Sequence, residues 1–206
     1  WATNHAVENV ILSTVADRLQ PDIRRQLHDH FRFFELHPTT PLPISHQYET
    51  PETLGKDRLA AVAGAYALFP GHTCLVVDAG TCITYDWINA EGTYLGGNIA
   101  PGIRMRLQAM HVFTDRLPEV GMQAESHQIG RSTAAALRNG AQVGAVLEVE
   151  GYRAWSEAQF GPTQLVLTGG DADFLANKLK SEIFVNHHLV LTGLNQILEY
   201  NVKRLE

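Results

Sequence analysis

Two hydrophobic periods divide the chain into its predicted elements. Residues 7–15 (VENVILSTV) carry an apolar, β-branched run and read as a strand. Over residues 21–36 the apolar positions Ile23, Leu27, Phe31 and Phe34 fall at helical spacing, behind a Pro21-Asp22 start that suits a first helical turn. Residues 38–54 contain four prolines and are expected as an extended loop. An Ala-rich helix is predicted over residues 57–68, ended by Phe69-Pro70-Gly71. The period then changes to two. Leu75, Val76 and Val77 form an unbroken run, like a strand covered on both faces. After Asp78-Ala79-Gly80-Thr81 the pattern resumes with Ile83, Tyr85 and Trp87 alternating against Cys82, Thr84 and Asp86, as in a half-buried strand.

A turn at residues 89–92 leads into Leu95-Gly96-Gly97-Asn98-Ile99-Ala100-Pro101-Gly102 and an amphipathic helix over residues 103–113. Residues 118–130 read as a loop. The helix predicted at 132–158 carries a stripe of Gly140, Gly144, Leu147 and Gly151, which predicts close packing against another helix. Residues 164–168 form a short buried strand running into Gly169-Gly170-Asp171. A helix at 173–181, a strand at 183–185 and a final helix from Gly193 complete the pattern. Strands alternating with helices place the chain in the α/β class.

Composition narrows the partners more than the fold. A chain of 206 residues suits one large domain or two small ones. A net charge of −6, without a Lys/Arg cluster, speaks against a nucleic-acid partner. No window is apolar and long enough to span a bilayer, and no secretory leader pattern is read, so a cytoplasmic protein without a membrane partner is expected. The two cysteines, Cys74 and Cys82, lie in predicted strands and are expected as reduced thiols. The chain opens at Trp1 and runs almost at once into Val10-Ile11-Leu12, so further residues are expected upstream.

Five segments carry candidate chemistry. Asp78-Ala79-Gly80-Thr81 joins two strands by a small-residue turn, an arrangement that can bring N–H donors to a phosphate while the acid handles a cation or a proton. An ordinary hairpin turn fits the same residues. Tyr48, Pro51, Gly55, Lys56, Asp57 and Arg58 place an acid and a base side by side at a helix start; a helix N-terminal acid with an exposed arginine is the plainer alternative. The glycines of residues 96–102 imply close backbone approach to a ligand or to another element. Gly130-Arg131-Ser132-Thr133 is a polar turn in which Ser132 suits an N-cap. Thr168-Gly169-Gly170-Asp171 fits either a nucleotide-contacting strand end or a tight turn. The ten histidines lack metal-ligand spacing: His28 and His30 face different sides of a helix, and His187-His188 has no spaced third ligand.

Taken in order, these segments resemble the type III pantothenate kinases of the acetate and sugar kinase, Hsc70 and actin superfamily. The likeness rests on Tyr48-x-x-Pro51-x-x-x-Gly55-x-Asp57-Arg58, Asp78-Ala79-Gly80-Thr81, Gly96-Gly97-x-Ile99-Ala100-Pro101-Gly102, Gly130-x-x-Thr133 and Thr168-Gly169-Gly170. Thr50 stands where family members usually carry Asn. The resemblance implies two ribonuclease-H-like (actin-like ATPase) lobes of mixed sheets flanked by helices. On this reading residues 1–70 are the remnant of a first lobe and 71–206 the second. It implies ATP with Mg²⁺ and a monovalent cation (potassium or ammonium), pantothenate as substrate, and a homodimer.

By the same resemblance Asp57 is the catalytic base, and Tyr48, Gly55, Arg58 and Thr133 join it in the substrate pocket. Asp78 binds the monovalent cation, Gly80 and Thr81 contact phosphate, and Gly169 and Gly170 lie on the adenosine side. The family's first phosphate motif, Asp-x-Gly-Asn, is not found before Val10; truncation is expected, since the first-lobe remnant would otherwise expose a sheet edge. Two alternatives stay open: a kinase of another small alcohol or acid, and a non-enzymatic regulatory or transcriptional accessory protein of the same fold.

Overall fold

The computed structural model describes residues 7–14, 21–124 and 129–205. Val15, the last residue of the first predicted strand, lies outside them. The chain begins with β1 (Asn9–Leu12), α1 (Pro21–His30) and β2 (Arg32–Glu35), and β1 and β2 pair in parallel. The helix predicted to continue to residue 36 therefore stops at His30. Phe33 and Phe34 sit in β2 opposite Val10 and Ile11, where aromatic side chains suit a paired strand better than another helical turn. The proline-rich stretch holds a two-residue strand, β3 (Ser45–His46), and a single 3₁₀ turn over Pro51–Thr53.

Next come α2 (Lys56–Leu68), β4 (Thr73–Ala79), β5 (Cys82–Ile88) and β6 (Thr93–Pro101). The glycine-rich segment after the turn is thus mostly strand. The remaining elements are α3 (Ile103–Val112), α4 (Thr133–Phe160), β7 (Thr163–Thr168), α5 (Ala172–Ala176), β8 (Phe184–Val185) and α6 (Leu189–Lys203). Relative to expectation α5 is shorter, and α6 starts a turn before Gly193.

One sheet of six strands runs β3-β6-β5-β4-β7-β8. β4, β5 and β6 form an antiparallel meander, and β7 and β8 add in parallel on the other side of β4. Three antiparallel strands followed by two parallel ones beyond the first is the ribonuclease-H-like order, flanked by helices as the resemblance implied. α2 and α6 cover one face with Leu59, Val62, Leu189 and Ile197; α3, α4 and α5 cover the other, where Val77, Tyr85, Leu107, Val149 and Leu175 are buried. Residue 70 falls in the turn between α2 and β4, and α2 packs onto the sheet across it.

α2 is buried along most of its length because it lies between the sheet and α6, which accounts for its alanines. Small residues let the two helices approach closely. A Cβ on Gly64 would stand 2.6 Å from the Leu189 carbonyl oxygen, and one on Gly193 would overlap the Ala60 carbonyl. The α4 stripe behaves differently from expectation: an added Cβ at Gly140 or Gly151 meets nothing within 4 Å, and Leu147 is exposed. At Gly144 the nearest group to an added Cβ is the Arg106 guanidinium of α3, 4.0 Å away, so the stripe is not a close helix–helix seam, and α4 buries its Ala141, Ala145 and Val149 side instead. Asn201 of α6 donates to the Pro41 carbonyl at 2.9 Å and so ties the proline-rich stretch to the same core. Cys74 and Cys82 are both free thiols, and burial pushes the Cys74 thiol up to about 12. Among the described residues no helix is long and apolar enough to cross a membrane. Gly193→Ala is expected to destabilise the protein by about 3 kcal/mol or more, because backbone rather than a movable side chain receives the new methyl group; denaturant unfolding measures it.

Candidate active site

The register of β4 against β5 builds the site. Val76 pairs with Asp86 and Asp78 with Thr84, so Asp78 and Asp86 project from the face that α2 covers. The first turn of α2 stands above them. Its Arg58, only 6% exposed, reaches the Asp86 carboxylate with one edge of the guanidinium: Nε lies 3.0 Å from Oδ1 and 3.2 Å from Oδ2, and Nη2 lies 2.7 Å from Oδ1. Tyr94 of β6 donates its hydroxyl to the same Oδ1 at 2.7 Å. Tyr48 stacks on Tyr94, with ring centroids 6.0 Å apart and planes within 6° of parallel, and Arg58 Nη1 donates to the Tyr48 hydroxyl at 3.4 Å. Gly97 is required beside them, since its Cβ would overlap the Tyr85 carbonyl and Asp86 Oδ1. Burial acts to lower the Arg58 pKa, and the hydrogen bonds and charge of Asp86 outweigh it and raise the value.

Asp57 is exposed beside Arg58, and its Oδ1 accepts the Arg58 backbone N–H at 2.9 Å. Asp78 is half-buried. Its pKa is raised by burial first, and then by the charges of Asp57 and Asp86. Asp57 and Asp86 thus lie close enough to Asp78 to act on its charge, and of the three carboxylates Asp86 is the one paired with the guanidinium.

The end of β4 gathers the turns. Gly80 N–H donates to the Cys82 carbonyl at 2.9 Å and Gly102 N–H to the Thr81 carbonyl at 3.0 Å. The Gly80 N–H therefore closes its own turn. Gly80 does not adopt a left-handed φ, and it is Thr81 that stands exposed at the tip. The tight position is Gly102, whose Cβ would overlap the Gly80 and Thr81 carbonyls. Because β7 runs parallel to β4, Gly169 and Gly170 arrive at the same end, and Asp171 N–H donates to the Ala79 carbonyl at 2.9 Å. Gly169 has φ +91°, and its Cβ would overlap Asp78 Oδ1 and the Ala79 carbonyl, so both conformation and space demand glycine. Arg104 of α3 closes the group through an ion pair of 2.6 Å with the buried Asp171.

The sequence model of the type III pantothenate kinase family matches residues 2–154. A type III pantothenate kinase of Phocaeicola vulgatus is 49% identical over 186 residues, spanning 90% of this chain and 77% of its own length. One from Christiangramia forsetii is 40% identical over 196 residues, spanning 95% of this chain and 80% of its own length. The chain belongs to the type III pantothenate kinase family. Among solved structures, a Campylobacter jejuni protein described as a Baf family transcriptional activator superposes with a TM-score of 0.67 at 25% identity, covering 97% of this chain and 86% of that one.

Of the residues that the family resemblance singled out, Tyr48, Gly55, Asp57, Arg58 and Asp78 come together at the start of α2, where a Cβ on Gly55 would stand 2.6 Å from Asp57 Oδ1. Gly80, Thr81, Gly169 and Gly170 come together at the end of β4 beside Asp78. Thr133 does not join them within one chain. It opens α4 on the opposite face of the sheet, exposed, and Ser132 caps that helix by accepting the Ala135 N–H at 3.2 Å. Sequence reasoning missed Asp86 and Tyr94. An acid within the otherwise uncharged strand CITYDWI was the available signal, because a carboxylate inside a sheet requires a partner.

Asp78 has a stability consequence. At a pH below the ordinary aspartate value of 3.8 both folded and unfolded states are protonated there, and the group contributes nothing. As pH rises, the unfolded chain ionises first and the folded state loses stability. Asp78→Asn is expected to raise the melting temperature at neutral pH, with the gain vanishing toward acid; thermal unfolding across a pH series checks both parts.

Proposed function

We propose that this protein transfers the γ-phosphoryl group of ATP to the primary hydroxyl of pantothenate, giving phosphopantothenate, the first step of coenzyme A biosynthesis. The convergence of Asp57, Arg58 and Asp78 at the start of α2 carries this reading. The hydroxyl oxygen attacks the γ-phosphorus, the bond to the β–γ bridging oxygen breaks, and ADP leaves. One Asp57 oxygen accepts the Arg58 N–H, which leaves the other to orient the hydroxyl and take its proton. Tyr48, Gly55 and Arg58 line the acceptor side; Thr81, Gly80, Gly169 and Gly170 line the nucleotide side. Such a site works by positioning and charge neutralisation more than by covalent chemistry.

The donor chemistry fits cations. Asp78 offers a hard carboxylate oxygen next to other acids, and its raised pKa marks a carboxylate without a compensating charge. Among the described residues no three His, Cys, Asp or Glu side chains converge as a ligand set. A monovalent cation, potassium or ammonium, would therefore be held by Asp78 with neutral oxygens, and Mg²⁺ would be held largely by the nucleotide phosphates. Bound there, the two cations offset the negative charge that carboxylates and triphosphate bring together.

A homodimer is part of the proposal. Thr133 can serve a substrate pocket only from a second copy, and α4 also exposes Leu147, Trp155 and Phe160 beside an apolar groove of about 570 Å³ against β6. A cytoplasmic location and a division into residues 1–70 and 71–206 belong to the same reading. The Campylobacter protein's description favours a second reading, a regulatory protein that acts on transcription, and the net charge of −6 argues against direct DNA contact.

Asp57→Asn is expected to lower pantothenate phosphorylation by about 10²–10⁴-fold with ATP binding retained. Full activity in that variant would sink the assignment of the base, and a substrate panel without preference for pantothenate would redirect the reading to another small alcohol. Potassium is expected to stimulate the wild-type enzyme and to raise its melting temperature, and to do neither in Asp78→Asn, measured by assay and thermal unfolding at constant ionic strength.

A further inference from the structure

We infer that Asp86 and Tyr94 are positioning residues for acceptor recognition: they hold the Arg58 guanidinium in one orientation, compensate its charge, and leave its Nη1 edge and the Tyr48 hydroxyl as a fixed hydrogen-bonding pair for a polar group of the substrate. This rests on the reading of Arg58 and Tyr48 as substrate contacts.

Arginine has five donors in a rigid fork. Here Nε and Nη2 are committed to Asp86, at 2.7–3.2 Å, and Nη1 is turned toward the Tyr48 hydroxyl at 3.4 Å. The guanidinium carbon sits 5.7 Å from the centre of the Tyr48 ring, which is itself stacked on Tyr94. Tyr94 donates to Asp86 Oδ1, so the carboxylate is held from a third side and cannot follow a moving arginine. Gly97 closes the remaining space, since its Cβ would stand 2.9 Å from Arg58 Nη2. A free cation at this place would attract any anion. A compensated and immobile guanidinium selects by direction instead, and a ligand whose acceptor is misplaced leaves a buried donor unpaired. A purely structural ion pair would need neither the third contact from Tyr94 nor the stacked Tyr48 at its open edge.

Tyr94→Phe keeps the ring and its stacking and removes only the hydroxyl, so it tests the inference without a large packing change. In the intact protein, the KM for pantothenate is expected to rise about tenfold, the order expected for one hydrogen bond to a charged group, while kcat and the KM for ATP stay within about twofold. Asp86→Asn is expected to move the same constant in the same direction by more. The arginine Nε–H resonance assigned to Arg58 through Arg58→Lys should shift in Tyr94→Phe. An unchanged pantothenate KM, an equal rise for both substrates, or an unmoved resonance would overturn the inference. If the wild type turns over no pantothenate, the functional reading fails instead, and the resonance still decides whether Tyr94 and Asp86 hold Arg58.

Discussion

The buried pair of Arg58 and Asp86 joins the first turn of α2 to the middle of the sheet, and the rest of the site is arranged around it. Taking two charges out of water is costly, and attraction recovers that cost only where geometry and additional hydrogen bonds are good. Here the carboxylate receives two guanidinium nitrogens and a tyrosine hydroxyl. The pair adds little net stability over an apolar replacement, yet removing one partner would strand the other at a cost of about 3–5 kcal/mol. It therefore acts as a registration device. It sets where α2 begins over the sheet, and that sets where Asp57 stands relative to Asp78.

Glycine is the second constraint, and the required glycines serve several different close approaches. Gly64 and Gly193 let α2 and α6 cross with their backbones in contact. Gly97 gives the Arg58 guanidinium room on β6. Gly102 and Gly169 press two turns onto the end of β4, and there the parallel pairing of β4 and β7 brings loops from distant parts of the chain together, as open sheets do at the ends of their parallel strands. The raised Asp78 pKa follows from this crowding: a half-buried acid near Asp57 and Asp86 is kept where stability alone would not keep it.

Much of this was legible locally. The Ala-rich run of α2, its stop at Phe69-Pro70-Gly71, and the strand–turn–strand at residues 75–87 follow from period and punctuation, and Ser132 caps α4 as its position suggested. The misreadings have physical causes. The helical spacing of Ile23 and Leu27 continues through Phe31 to Phe34, and pairing of β2 with β1 overrides it at Phe34. The α4 stripe looks like a packing face, yet whether small residues meet a partner depends on which side of the helix turns to the sheet.

The sequence by itself determined the alternation of strands and helices, the chemistry available in each turn, and the order of motifs that marks the family. Tertiary structure decided which of those residues share a site. Strand register put Asp86 beneath Arg58 and on the face of Asp78, and the packing of α4 on the other face put Thr133 on the opposite side of the sheet. Period and composition act over a few residues, whereas the partner of a buried charge is chosen by pairing between segments 28 residues apart, which no local pattern encodes.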